Sequence, residues 1–197
     1  MKIKNLSLLV AMMGGAPAIA LASGYHFGSQ SVSAQGTAFA SGAEAADAST
    51  IFYNPAGMSR LQGTQFSGGL TFVLPNSDYS DKGSTTYLKR PTGGGDGGSF
   101  APDIVVAPSM YLTHQINDQI TAGIGMFVPY GASLDYGGDW VGRYGLTKID
   151  LMTININPSI SFKLNDHHSF GFGVSAQYMN AELDKASDAV TGLRMGA

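Results

Sequence analysis

The chain has 197 residues, no cysteine, 13 % charged residues, 27 glycines and a formal net charge of −3, with a mean hydropathy of only +0.04. The missing cysteine excludes a disulfide framework, a thiolate metal site and a lipid-anchored N-terminal cysteine, and the negative balance leaves no basic stripe for phosphates, so nucleic acid is excluded as a partner. A soluble domain carries about a quarter charged residues and a helical membrane protein is far more apolar, whereas few charges at neutral hydropathy suit a barrel wall with one greasy face and one wet face.

Residues 1–22 read as a secretory signal peptide. Lys2 and Lys4 open the chain, Leu6 to Ala22 is apolar but interrupted by Gly14, Gly15 and Pro17, and the segment ends Ala20-Leu21-Ala22, a small-x-small cleavage pattern. The alternative, a transmembrane helix, needs about 20 uninterrupted apolar residues. Cleavage removes two lysines and no acids, which takes the net charge from −3 to −5.

Residues 23–63 do not alternate. Small residues dominate, among them Ser29, Ser31, Ser33, Ala34, Gly36, Ala38 and Ala40. Such a stretch packs closely inside a lumen and reads as a hatch, with a short helix expected over Ala38 to Ala48 and a turn at Asn54-Pro55. A flexible periplasmic tail is the competing reading of the same composition. Ile51, Phe52 and Tyr53 beside the turn favour docking.

From residue 64 the pattern changes to period two, and residues 64–197 read as the first part of a barrel wall. Strands are expected at about 64–74, 103–114, 119–129, 148–164 and 168–183. The fourth is the clearest: Met152, Ile154, Ile156, Pro158, Ile160, Phe162 and Leu164 alternate with Thr153, Asn155, Asn157, Ser159, Ser161 and Lys163. The second is the weakest, because Val105 and Tyr111 spoil its polar face. Most of these runs exceed the 5–6 residues usual in soluble strands and match the roughly 9–11 that a tilted strand needs to cross a bilayer. Connections alternate in length. Residues 75–102 and 130–147 form long loops, while Asn117-Asp118 and Asn165-Asp166 mark tight turns. Outer-membrane barrels have this arrangement, with long loops outside and short turns in the periplasm. A secreted β-sandwich has no reason for it. Five strands are odd in number and too few to close, and Leu193–Ala197 supplies no closing strand, so the rest of the wall is expected beyond this sequence.

Pro129 in the third strand has no N–H for a ladder, and Gly131 permits a bend. The residues allow two readings: the strand kinks there, or it simply ends at the loop. Other motifs carry no chemistry. Gly171-Phe172-Gly173-Val174-Ser175-Ala176 fits a dinucleotide fingerprint but lies within an alternating strand. Gly93 to Gly98 lacks a following Lys-Ser/Thr. His26, His114, His167 and His168 have no acidic constellation, so no metal site is expected. No nucleophile elbow occurs, so neither enzymatic activity nor a cofactor is expected.

The run Ala46 to Met58, with Asn54-Pro55-Ala56 at its heart, closely resembles the outer-membrane long-chain fatty acid transporter family of FadL type, which also includes uptake channels for aromatic hydrocarbons. Val128-Pro129-Tyr130-Gly131, Trp140 to Tyr144, Asn155 to Ser159 and Lys163-Leu164-Asn165 match in order, so the likeness covers nearly all of residues 24–183. The resemblance implies an all-β fold: a fourteen-stranded transmembrane antiparallel barrel with a small-residue hatch in its lumen. It implies a gating role for Asn54, Pro55 and Ala56, and a lateral opening at Val128, Pro129, Tyr130 and Gly131. It further implies passive uptake of a hydrophobic small molecule, contact with outer-membrane lipid, and insertion into a Gram-negative outer membrane by the barrel assembly machinery. Ligand-contacting residues would lie largely beyond residue 183; Arg194 falls in the relevant loop but is not assigned. Phe100, Tyr130 and Trp140 are expected to present apolar surface outside or to serve as girdle aromatics. A general diffusion porin and a structural or adhesive barrel are the alternatives.

Overall fold

The computed structural model describes residues 26–40, 44–86, 88–102 and 104–186. The signal-peptide segment 1–22, the tail Leu193–Ala197 and Arg194 lie outside these residues. Two short helices, α1 (Val32–Gly36) and α2 (Thr50–Tyr53), and a 3-10 helix at Pro55–Arg60 precede the strands. The strands are β1 (Thr64–Val73), β2 (Val105–Gln115), β3 (Ile120–Phe127), β4 (Gly131–Asp135), β5 (Lys148–Lys163), β6 (Ser169–Gly173) and β7 (Ala176–Asp184). All pair antiparallel in one sheet. β3 and β4 lie end to end along one edge of β5, and β6 and β7 do the same along the other. The wall is therefore five passes long, and its third and fifth passes are broken.

The two faces of the sheet follow the alternation. Phe66, Ile154 and Phe172 on one face are 69 %, 39 % and 65 % exposed, whereas Thr113, Thr153 and Ser161 on the other are fully buried. A greasy row left uncovered by protein and a polar row covered by it is the arrangement of a wall with lipid outside. The cover is formed by the described residues between His26 and Gln62. Ile51 and Met58 pack with Tyr111 and Phe127 into one core cluster on the inner face. Tyr111, which spoils the pattern of β2 when read as sequence, is an inward side chain that fills this cluster. Both tight turns are closed by asparagine side chains. Asn117 Oδ1 accepts from the N–H groups of Gln119 and Ile120, and Asn165 Oδ1 from those of His167 and His168, each at 2.9 Å.

Three expectations are corrected. Among the described residues of the stretch from Ala38 to Ala48 no helix forms; α1 lies earlier, at Val32–Gly36, where the Ser31 hydroxyl accepts from the Ala34 N–H. Ala38, Phe39 and Ala45 instead have positive φ, a conformation that does not continue a right-handed helix, so alanine's helix propensity is here the weak prior it is in general. The fifth pass is not continuous over 168–183. It breaks at Val174–Ser175 opposite Pro158, which has no N–H to return the bond that Val174 donates to its carbonyl. The third pass stops at Phe127 and resumes at Gly131.

Candidate functional site: the broken seam between the second and third wall strands

The break in the third pass has a defined geometry. β3 ends with Phe127 opposite Asn155, and β4 begins with Gly131 opposite Met152. Three residues, Val128, Pro129 and Tyr130, therefore face only Thr153 and Ile154. One surplus residue in one strand is a β-bulge, which bends its strand and interrupts the ladder. Pro129 is thus followed by more strand, neither ending the pass nor leaving it continuous.

The other side of the break is more open. β2 pairs with β3 only from Gln115↔Thr121 to Met110↔Met126. β2 itself continues to Val105, paired throughout with β1. Residues 105–109 therefore have no strand partner on the β4 side among the described residues. Continuing the register by two residues would set Pro108 opposite Val128. Gln115 donates its N–H to Gly63 on the β1 side, and Ile116 donates to Ile120 on the β3 side. Alternation along a strand then points even-numbered residues of β2 toward β3. Pro108 stands where a donor to Val128 is needed and has none. A cavity of about 580 Å³ occupies this gap, lined by Val73, Val106, Pro108, Met126, Leu134 and Met152 among others.

The polar groups that the break frees are not left bare, as burial of an unpaired backbone group is costly. The Thr153 hydroxyl donates to the Tyr130 carbonyl at 2.6 Å and accepts from the Tyr130 N–H at 3.0 Å. Phe27 N–H donates to the Pro129 carbonyl at 2.8 Å. His26 meets the Tyr130 ring edge-on at 5.5 Å. The carboxamide of Gln30 takes both groups of Val128: its Nε2 donates to the Val128 carbonyl and its Oε1 accepts the Val128 N–H. Gln30 is 1 % exposed. Its backbone is held as well, the carbonyl accepting from Tyr111 Oη at 2.8 Å and the N–H donating to Tyr53 Oη at 3.2 Å.

Asn54, Pro55 and Ala56 lie elsewhere. The Asn54 carbonyl closes α2 by accepting from Thr50 Oγ1 at 2.9 Å and receives the Gly57 N–H at 2.8 Å. Pro55 opens the 3-10 helix, whose φ it presets. The Ala56 carbonyl accepts from Ser169 Oγ at 3.2 Å, and Pro55 and Ala56 lie directly on Gly171 of β6. The motif and the break are thus docked at separate places on the wall. Between them run Ile51, packed over Gly123 and Gly125 of β3, and Phe52, whose ring meets Phe127 edge-on at 4.8 Å. The residues that touch the break, Gln30, Phe27 and Thr153, were not singled out from sequence. Pro108 could have been, as a proline inside an alternating run.

The long loops fold over one another. Trp140 stacks on Tyr136 at 4.0 Å, Phe100 on Tyr136 at 4.4 Å, and Arg143 donates to the carbonyls of Thr92 and Gly93 at 2.8 Å. Phe100 and Trp140 are consequently 7 % and 9 % exposed; each stacks on Tyr136 instead of presenting apolar surface. Among the described residues no group of three or more His, Asp or Glu side chains is arranged to hold a metal ion.

A twisted antiparallel wall with a lipid-type outer face and a filled inner face defines the class: an outer-membrane β-barrel protein. The chain belongs to the family described as outer membrane protein transport protein (OMPP1/FadL/TodX), whose model matches residues 15–197. It is 45 % identical over 185 residues to an outer membrane protein of Neisseria meningitidis serogroup B, covering 93 % of this chain and 40 % of that one. Identity to outer membrane protein P1 of Haemophilus influenzae strain Rd is 32 %, covering 94 % and 42 %. Identity to the long-chain fatty acid transport protein of Escherichia coli K12 is 30 %, covering 84 % and 36 %. The crystal structure of a Pseudomonas aeruginosa FadL homologue superposes with a TM-score of 0.67 at 25 % identity, covering 82 % of this chain and 39 % of that one. The chain thus spans about two-fifths of the length of these relatives, and the sheet described here is a part of such a barrel. Its place is the outer membrane of a Gram-negative cell.

Proposed function

We propose that this chain forms the hatch and first wall strands of a channel for passive uptake of long-chain fatty acids or other hydrophobic compounds. The ligand leaves sideways into the membrane through the gap between β2 and β4. The observation that carries this reading is the unpaired edge Val105–Ser109, facing an apolar cavity across from the bulge at Val128–Tyr130. An apolar chain costs about 0.8 kcal/mol per CH₂ to move from a greasy site into water, so an exit into hydrocarbon avoids a cost that an axial exit incurs. On this reading Val128, Pro129, Tyr130 and Gly131 shape the opening, and Asn54, Pro55 and Ala56 hold the hatch. A general porin is disfavoured because the hatch buries the polar inner residues Thr153 and Ser161, which would otherwise line a water-filled path.

Deleting Pro129 tests the route. It removes the surplus residue, leaves two residues opposite Thr153 and Ile154, and lets the third pass run in register. Cells whose only such channel carries the deletion should fail to grow on oleate while the barrel remains assembled and heat-modifiable. Normal growth on oleate would refute the lateral route. Conductance to ions and sugars without oleate uptake in the unaltered protein would instead favour the porin.

A further inference from the structure

We infer that Gln30 is the positioning residue of the opening: its carboxamide stands in for the strand partner that Val128 lacks, and so latches the N-terminal segment to the broken seam. The inference rests on the proposed lateral route for its functional meaning, but its structural content is independent of transport.

The argument starts from Pro108. In a continuous β2–β3 ladder, Val128 would exchange both of its backbone groups with the residue opposite, and that residue is a proline. Half of the exchange is therefore impossible whatever the strands do. A primary carboxamide has the donor and acceptor of a peptide unit at a similar spacing, and Gln30 presents one to the N–H and carbonyl of Val128. The same Nε2 also donates to the Phe27 carbonyl at 2.9 Å, and Phe27 in turn donates to the Pro129 carbonyl. Both groups of Val128 and the carbonyl of Pro129 are thus satisfied by residues 27 and 30. Tyr53 Oη donates to the Gly28 carbonyl at 2.9 Å and accepts from the Gln30 N–H, while Tyr111 holds the Gln30 carbonyl. The side chain therefore has little freedom to turn away.

A consequence follows for any movement of this segment. Withdrawing residues 26–30 strips the seam of three hydrogen bonds, and Pro108, which has a carbonyl but no N–H, can replace none of those made to the Val128 and Pro129 carbonyls. Displacement of the segment and loosening of the seam are then a single event, transmitted by one side chain.

These 197 residues contain no cysteine, and any cysteine in the remainder of the barrel is first replaced by serine. Ala107, 5 % exposed beside Pro108 at the seam, is replaced by cysteine as a reporter in the barrel expressed from its native gene, and its labelling rate with a small methanethiosulfonate is followed in outer membranes. Gln30→Leu keeps the volume and removes both bonds; labelling should rise roughly tenfold, the effect of leaving buried groups unpaired. Gln30→Glu is the discriminating variant. When protonated it can still donate to the Val128 carbonyl and accept the Val128 N–H, losing only the bond to Phe27; when ionised it only accepts, opposite a carbonyl that repels it. Because the reagent attacks the thiolate, which every variant forms more of as pH rises, each rate is read relative to the parent at the same pH: the Gln30→Glu ratio should be near one at pH 5 and roughly tenfold at pH 8, while the Gln30→Leu ratio is the same at both. A merely space-filling residue would give no pH step. Rates equal to the parent's at both pH values in both variants would overturn the latch, as would failure of both variants to assemble, which would assign Gln30 to folding. A pH step in labelling with no oleate uptake by the parent would sink the transport reading and leave the latch standing.

Discussion

Gly171→Ala should undock the Asn54-Pro55-Ala56 turn from the wall. Gly171 lies on the inner face of β6, between the outward Phe170 and Phe172. A Cβ built there would overlap Pro55 and the backbone nitrogen of Ala56, and would lie 2.7 Å from Ala56 Cα. Carbon atoms rest at about 3.5–4.0 Å, so the 3-10 helix must withdraw by roughly 1 Å. The obstacle is backbone on both sides, so no side-chain rotation relieves it. Overpacking of this kind costs about 1–3 kcal/mol, which multiplies the undocked fraction about 5- to 150-fold. Hydrogen exchange reads this directly. The amides of Gly57 and Leu61, which donate to the carbonyls of Asn54 and Met58, should exchange faster in Gly171→Ala, while those of β2 and β3 keep their rates. Gly36→Ala, where a Cβ meets open space, is the control and should change nothing in the 3-10 helix. If Gly57 and Leu61 exchange at the parent rate in Gly171→Ala, the docking described here is wrong.

Two further outcomes follow from named contacts. Trp140→Ala removes the ring stacked on Tyr136 and the bond from Nε1 to the Leu146 carbonyl; a loss of about 3–5 kcal/mol in this cluster should render residues 75–102 and 136–147 sensitive to protease on whole cells, and unchanged resistance would refute the cluster. Burial raises the Asp47 carboxyl, but hydrogen bonds from Ser33, Ser49 and Ser67 outweigh it and hold the group below its ordinary value of 3.8. A lowered value in the folded state means that the ionised form stabilises docking above pH 3.8 and that this is lost as pH falls through the lower, folded value. Amides of the segment around Asp47 should therefore deprotect on acidification in the parent, and Asp47→Asn should lack that acid limb; superimposable profiles would count against the role of Asp47.

The wall was legible in the sequence because alternation is a property of one strand at a time. Met152 to Leu164 specify which face meets lipid without reference to any partner, since side chains two apart share a face. The tight turns were legible for the same reason: Asn117 and Asn165 bond to backbone groups two and three residues ahead. The family resemblance implied a lateral opening at Val128 to Gly131, where composition alone left a kink and a strand end both open.

What the tertiary structure decided is everything that depends on the neighbour across a seam. Whether Pro129 matters depends on Pro108, some twenty residues away in another strand, and on a register that no local pattern encodes. Tyr111 is an anomaly in a polar row until Ile51 and Met58 of the N-terminal segment pack beside it. Gln30, one small polar residue among many in its segment, acquires a role only because the fold brings it to Val128, 98 positions along the chain. Sequence sets the period of each strand; the closing of hydrogen bonds between distant segments sets where the wall is left open.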